Sequence, residues 1–195
     1  MNKGASLVIR GTLIGSLVVV LLGWLLAKHI HILPPAEVAY AASQEEIQEP
    51  PVGPMDVKCA LSENYPQGIL QWCEFITAVA TQSELPPNLI AAVILQESGG
   101  DAQAYSSSGA VGLMQVMPRD GIAASFECIN GPCFASRPKI EELLDPSFNI
   151  HYGTHMLAGL INRLGSLREA LKAYGPMDVD YHYADNVLAI YENYR

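Results

Sequence analysis

The sequence predicts an all-α domain over residues 59–195, preceded by an N-terminal transmembrane helix. Three observations lead there. Apolar residues recur at 3–4 spacing through the C-terminal part, alternating strand-like runs are scarce in it, and an uncharged apolar stretch lies near the N-terminus. Charge divides the 195 residues into three zones: +3 over 1–33, −4 over 34–58 and −8 over 59–195. A total of −9 with a pI near 4.9 excludes a nucleic-acid binder, which needs a basic face against phosphates.

The first zone reads as a membrane anchor. Gly11 to Ala27 is 17 residues without a charge, roughly 25 Å of helix against a hydrocarbon core of about 30 Å. Lys28 can snorkel, the apolar run to Leu33 adds length, and Trp24 suits the interface. Lys3 and Arg10 precede the segment and an acidic stretch follows it, which predicts a cytoplasmic N-terminus and an exported remainder. The rival reading is secretion after signal cleavage at Ala39-Tyr40-Ala41, a site unusually far from Ala27. Residues 34–58, with five prolines and clustered glutamates, read as a tether.

Cys59, Cys73, Cys128 and Cys133 all follow the tether. An even count in an exported domain predicts two disulfides, with three connectivities open. The local pairing Cys59–Cys73 and Cys128–Cys133 is preferred, because the second pair brackets the turn-forming Ile-Asn-Gly-Pro. Neither pair has the C-x2-C spacing of a zinc site, and no metal or other cofactor is expected.

Helices are predicted in order along the third zone. Gly68–Gln82 places Ile69, Trp72, Cys73, Ile76 and Val79 on one stripe. Pro86-Pro87 opens the next helix, which runs through Leu89–Ser98 until Gly99-Gly100 stops it. Another follows Asp145-Pro146 to about Leu164 and ends at Gly165; Arg168–Tyr174 and Ala184–Tyr194 supply two more. His151 and His155 sit four apart without the glutamate of a zinc-protease motif and read as surface residues, and Arg137 and Lys139 beside Pro138 read as a solvated loop.

Glu97 is the candidate catalytic residue. It closes the almost wholly apolar run Ala-Ala-Val-Ile-Leu-Gln-Glu-Ser. There the negative end of the helix dipole and apolar neighbours both disfavour its charged form, raising its pKa toward that of a general acid working near neutrality. Asp101, the nearest acid in sequence, lies past two glycines and reads as a loop residue.

Around that glutamate the chain resembles the soluble-type (SLT) lytic transglycosylase catalytic domain, a relative of goose-type lysozyme. Ala92 to Gly99 is similar to that family's Glu-Ser motif, and Ser108 to Pro118 to its G-x-G/A-L-M-Q motif followed by Pro. Asn149-Ile150 with Gly153 resembles the N-I-x-x-G helix start, Ala170 to Tyr174 the A-L-x-A-Y motif, and Tyr183, Val187 and Tyr191 the closing Y-x3-V-x3-Y helix. The matches occur in order over about residues 69–194. The chain departs after Tyr174, where Gly175-Pro176-Met177-Asp178 replaces the usual Asn and glycine-rich turn.

The resemblance implies a lysozyme-like helical fold and cleavage of the β-1,4 bond between N-acetylmuramic acid and N-acetylglucosamine in peptidoglycan strands, with a 1,6-anhydro end. It implies that Tyr174 hydrogen-bonds and positions Glu97, that Ser98 contacts the reacting sugar, and that Gln115 and the backbone around Met114 line the glycan site. Two alternatives stand beside it: a lysozyme-like muramidase releasing a reducing end, and a non-catalytic glycan-binding module, against which Glu97 with Tyr174 argues. Protein partners have no signature in the sequence.

Overall fold

The computed structural model describes residues 57–195, so the predicted anchor and nearly all of the tether lie outside the described residues. No helix among the described residues is long and apolar enough to cross a membrane.

The stretch predicted as one helix from Gly68 to Gln82 is two: α1 (Gln67–Leu70) and α2 (Cys73–Gln82). The break at Gln71-Trp72 has a tertiary cause. Trp72 donates its indole N–H to the Gly100 carbonyl at 2.9 Å, and a Cβ on Gly100 would lie 2.1 Å from the Gly68 carbonyl oxygen. Helix α1 therefore meets the Gly99-Gly100 corner backbone to backbone, a crossing that a continuous helix does not allow.

Helix α3 (Pro87–Ser98) forms the axis of the core. Leu89 through Ile94 are buried consecutively, and a helix apolar on every side is one surrounded on every side. Pro87 starts it without losing a needed N–H, and Gly99 ends it in the left-handed conformation at φ 63°. The second disulfide lies in a two-residue hairpin, β1 (Glu127–Cys128) with β2 (Gly131–Pro132), and a short helix α4 (Ile140–Leu143) follows. Helix α5 (Pro146–Leu164) is capped by the Asp145 carboxylate, which accepts the Phe148 N–H at 2.8 Å, and is closed by Gly165 at φ 67°. Helices α6 (Leu167–Tyr174) and α7 (His182–Asn193) complete the layer, with α7 packed along α3 and α6 bridging α5 and α7.

Both locally paired disulfides are present, Cys59–Cys73 and Cys128–Cys133, and no described cysteine is free. The first ties the entering chain to the start of α2. The small hairpin was not predicted, because two-residue strands carry no alternation to read.

Candidate active site

Glu97 stands in the last turn of α3, where the buried run Leu89–Ile94 gives way to the Gly99-Gly100 corner. Its carboxyl is partly buried, and burial pushes its pKa up to about 7. One hydrogen bond opposes that shift: Tyr183 of α7 donates its hydroxyl to Glu97 Oε1 at 2.5 Å. Burial and the neighbouring Glu97 in turn hold the Tyr183 hydroxyl far above the usual tyrosine range, so it stays a donor.

This corrects the expected partner. Tyr174 donates its hydroxyl to the Met114 carbonyl at 2.9 Å, not to Glu97. The reason is visible at Gly153 on α5. A Cβ there would lie 3.1 Å from the Tyr174 hydroxyl and 2.7 Å from Met114 Cβ, so the missing side chain is the space in which tyrosine and methionine meet. Tyr183 is fixed by a second glycine: a Cβ on Gly175 would sit 2.4 Å from its ring. The departure Gly175-Pro176 is thus where the ring of the acid's partner packs against bare backbone.

The Gly112–Gln115 turn is held from below. Asn149, fully buried at the start of α5, accepts the Met114 N–H at 2.8 Å and donates to the Val111 and Leu143 carbonyls at 2.9 and 2.8 Å. Gly112, at φ 76°, leaves room for that amide: a Cβ would meet it at 2.3 Å. Val111 and Val116 exchange backbone hydrogen bonds across the turn. Gln115 takes a positive φ of 46° and donates its side-chain N–H to the Gly112 and Ala104 carbonyls at 2.9 and 3.3 Å. Ser98 donates to the Leu113 carbonyl at 2.9 Å and accepts the Gly100 N–H at 3.2 Å, riveting the turn to the end of α3. Met114 is fully buried, with its N–H taken by Asn149 and its carbonyl by Tyr174, so it supports the turn from inside and, against expectation, offers no surface of its own to a glycan.

The structure brings Glu97, Ser98, Met114, Gln115 and Tyr174 into one region and adds Tyr183 and Asn149, whose roles sequence reasoning missed. The signal for Tyr183 was its place on a helical stripe with Val187 and Tyr191: a buried tyrosine needs a partner for its hydroxyl. Asp101 is exposed and accepts the Gln103 N–H at 2.8 Å, as a turn residue.

Two surface readings need correction. His151 is half-buried with Nδ1 lacking a partner, and burial together with His155 lowers its pKa. Arg137 is half-buried and lies against Met156 Sδ. Among the described residues no three His, Cys, Asp or Glu side chains converge as metal ligands. A recess of about 410 Å³ lined by Ser83, Glu84, Leu85, His155 and Gly159 lies beyond the opposite end of α3, whose first residue is about 15 Å of helix from Glu97.

The family model of the transglycosylase SLT domain matches residues 74–179, a span that includes Glu97 and Tyr174 and stops short of Tyr183. The chain is 37% identical over 107 residues to a transglycosylase of Enterobacteria phage PRD1, covering 55% of this chain and 35% of that protein. It is 31% identical over 121 residues to the membrane-bound lytic murein transglycosylase E of Buchnera aphidicola, covering 58% of this chain and 53% of that protein. The chain thus spans about half or less of the length of these relatives. The crystal structure of the 70 kDa soluble lytic transglycosylase SLT70 from Escherichia coli superposes with a TM-score of 0.51 at 26% identity, over 67% of this chain and 24% of that one.

Proposed function

The chain belongs to the transglycosylase SLT domain family, and from that premise we propose that residues 59–195 form a peptidoglycan lytic transglycosylase. Its reaction is cleavage of the β-1,4 bond between N-acetylmuramic acid and N-acetylglucosamine. The observation that carries the reading is a single carboxyl, Glu97, poised near pH 7 by burial and held by Tyr183, with no second carboxylate among the influences on it.

One carboxyl suffices if its two proton transfers are sequential. Protonated Glu97 gives its proton to the glycosidic oxygen as the bond from that oxygen to the muramoyl C1 breaks. The resulting carboxylate takes the proton of the muramoyl C6 hydroxyl while that oxygen bonds to C1. The acid is regenerated, the sugar leaves as a 1,6-anhydro ring, and no water is consumed. An inverting hydrolase would instead need a second carboxylate to activate water. A group titrating near 7 serves both directions of transfer at neutral pH. Tyr183 is the positioning residue for Glu97. Tyr174, through the Met114 carbonyl, and Ser98, through Leu113, fix the turn whose partly exposed Gln115 lines the strand.

The site works on the extracytoplasmic side, tethered by residues 34–58 to an anchor at residues 11–27. The charge asymmetry of the chain supports that placement, and so does the likeness to a relative named as membrane-bound. The test is product mass. Purified peptidoglycan digested by the full chain should release anhydromuramoyl products, one water lighter than hydrolysed ends. Products with reducing ends would leave Glu97 as the acid and turn the reading to a muramidase.

A further inference from the structure

Arg137 is the one half-buried cation among the described residues that no carboxylate holds. The ion pairs among them engage Arg168, Lys172 and Arg195, while Lys58, Arg119, Lys139 and Arg163 are unpaired but exposed. Its backbone is pinned: Arg137 N–H donates to the Phe134 carbonyl at 2.9 Å, and the carbonyl of buried Pro138 accepts the Arg119 N–H at 2.9 Å. The guanidinium lies against Met156 Sδ on α5, a weak acceptor that leaves most of its five N–H donors unused.

Its position relates it to the site. Met156 is three residues past Gly153, so the two share a face of α5 about 5–6 Å apart. Gly153 is where the Tyr174 hydroxyl and Met114 meet. The guanidinium therefore stands about one helical turn from the Tyr174–Met114 junction, and its charge reaches that hydroxyl, opposing the upward push of burial and of Glu97. An Arg cannot shed its charge, and a half-buried one without a counter-ion is incompletely solvated. In a chain of net charge −9 acting on an acidic polymer, such a group supplies the local attraction.

We infer that Arg137 is a specificity-determining residue of this site, its guanidinium binding a carboxylate of the strand held at Glu97. The inference rests on the peptidoglycan reading above. Two sources carry that chemistry: the stem peptides, and the lactyl carboxylate that a muramoyl sugar exposes once its peptide is removed.

The test uses the full chain in detergent, wild type and the variants Arg137→Ala and Arg137→Lys, on peptide-bearing strands and on strands stripped by an amidase. Values of kcat and KM are read separately at low and high salt, with the melting temperature of each variant. Arg137→Ala should raise KM about tenfold while kcat stays within about twofold, and Arg137→Lys should recover part of the loss. The salt dependence of KM seen in wild type should flatten in Arg137→Ala. A rise confined to peptide-bearing strands assigns the stem carboxylates, and one confined to stripped strands assigns the lactyl group. Unchanged KM on both substrates overturns the inference. So does a loss, in kcat or KM, equal on both with salt dependence intact and Lys no better than Ala, which marks a packing role. Wild type releasing no anhydro product from either strand would instead defeat the peptidoglycan reading itself.

Discussion

At Glu97 two influences push the same way. The core removes water from the carboxyl, and only the Tyr183 hydroxyl favours the charge; its place in the last turn of α3 adds the unfavourable end of the helix dipole. Glu97→Gln keeps the shape and loses the proton, so turnover should fall by several orders of magnitude, since acid and base steps each contribute about 10²–10⁴-fold. Stability should move the other way. The folded pKa lies near 7 against about 4.5 unfolded, so the native state binds the proton more tightly, and the stability Glu97 gives the wild type is lost as pH rises through that window. The loss is on the order of 3 kcal/mol. The melting-temperature gain of Glu97→Gln over wild type should therefore grow between pH 4.5 and 7 and level off above; calorimetry showing a constant difference would remove the burial argument. Tyr183→Phe deletes the one bond that lowers the Glu97 pKa, so the alkaline limb of the rate profile should shift upward as activity drops. Tyr174→Phe deletes a bond to Met114 and should leave that limb in place while raising KM. The two profiles side by side decide which tyrosine serves the acid.

The longer helices were legible because they are written locally: a 3–4 apolar period, proline at the start of α3 and α5, and glycine at their ends; the single turn α4 was not foreseen. The break between α1 and α2 was not legible, because it depends on Trp72 finding a carbonyl 28 residues away. The candidate site divides the same way. Glu97 stands out as an acid ending an apolar helix, whereas the choice between Tyr174 and Tyr183 depends on how α6 and α7 rotate against α3. Two glycines settle that choice, Gly153 beneath the Tyr174 hydroxyl and Gly175 against the Tyr183 ring. The segment after Gly175 is held in turn by Tyr181, which lies under Arg168 and Lys172 at 3.9 Å from each and donates to Glu169 at 2.6 Å. Gly175→Ala should displace the Tyr183 ring and cost about 1–3 kcal/mol, as overpacking does. It should also reproduce the upward shift of the alkaline limb seen in Tyr183→Phe. A destabilised Gly175→Ala protein with an unshifted limb would show that the glycine serves packing alone.

On the scale of the whole chain, the disulfides and the proposed anchor are parts of one argument about compartment. Closing the loop between Cys59 and Cys73 stabilises by about 3 kcal/mol in the chain-entropy account, and the shorter Cys128–Cys133 loop by about 2. Removing the first pair with serine should lower the melting temperature more than removing the second, and alkylation of unfolded, unreduced protein should add no mass. Such bonds are favoured in oxidising compartments, which agrees with the proposed export and makes the route across the membrane the question to test. Residues 1–33 carry +3 and residues 34–58 carry −4 around an apolar run of 17 residues, the asymmetry on which the proposed inside-to-outside topology rests. The A-x-A at Ala39-Tyr40-Ala41 stands a dozen residues past Ala27, a separation that disfavours cleavage. The protein extracted from carbonate-washed membranes should therefore retain its N-terminus and the mass of the full chain. A mature form beginning at Ala42 and recovered in the soluble fraction would show instead that the segment is a signal peptide and that the enzyme is released to diffuse along its polymer.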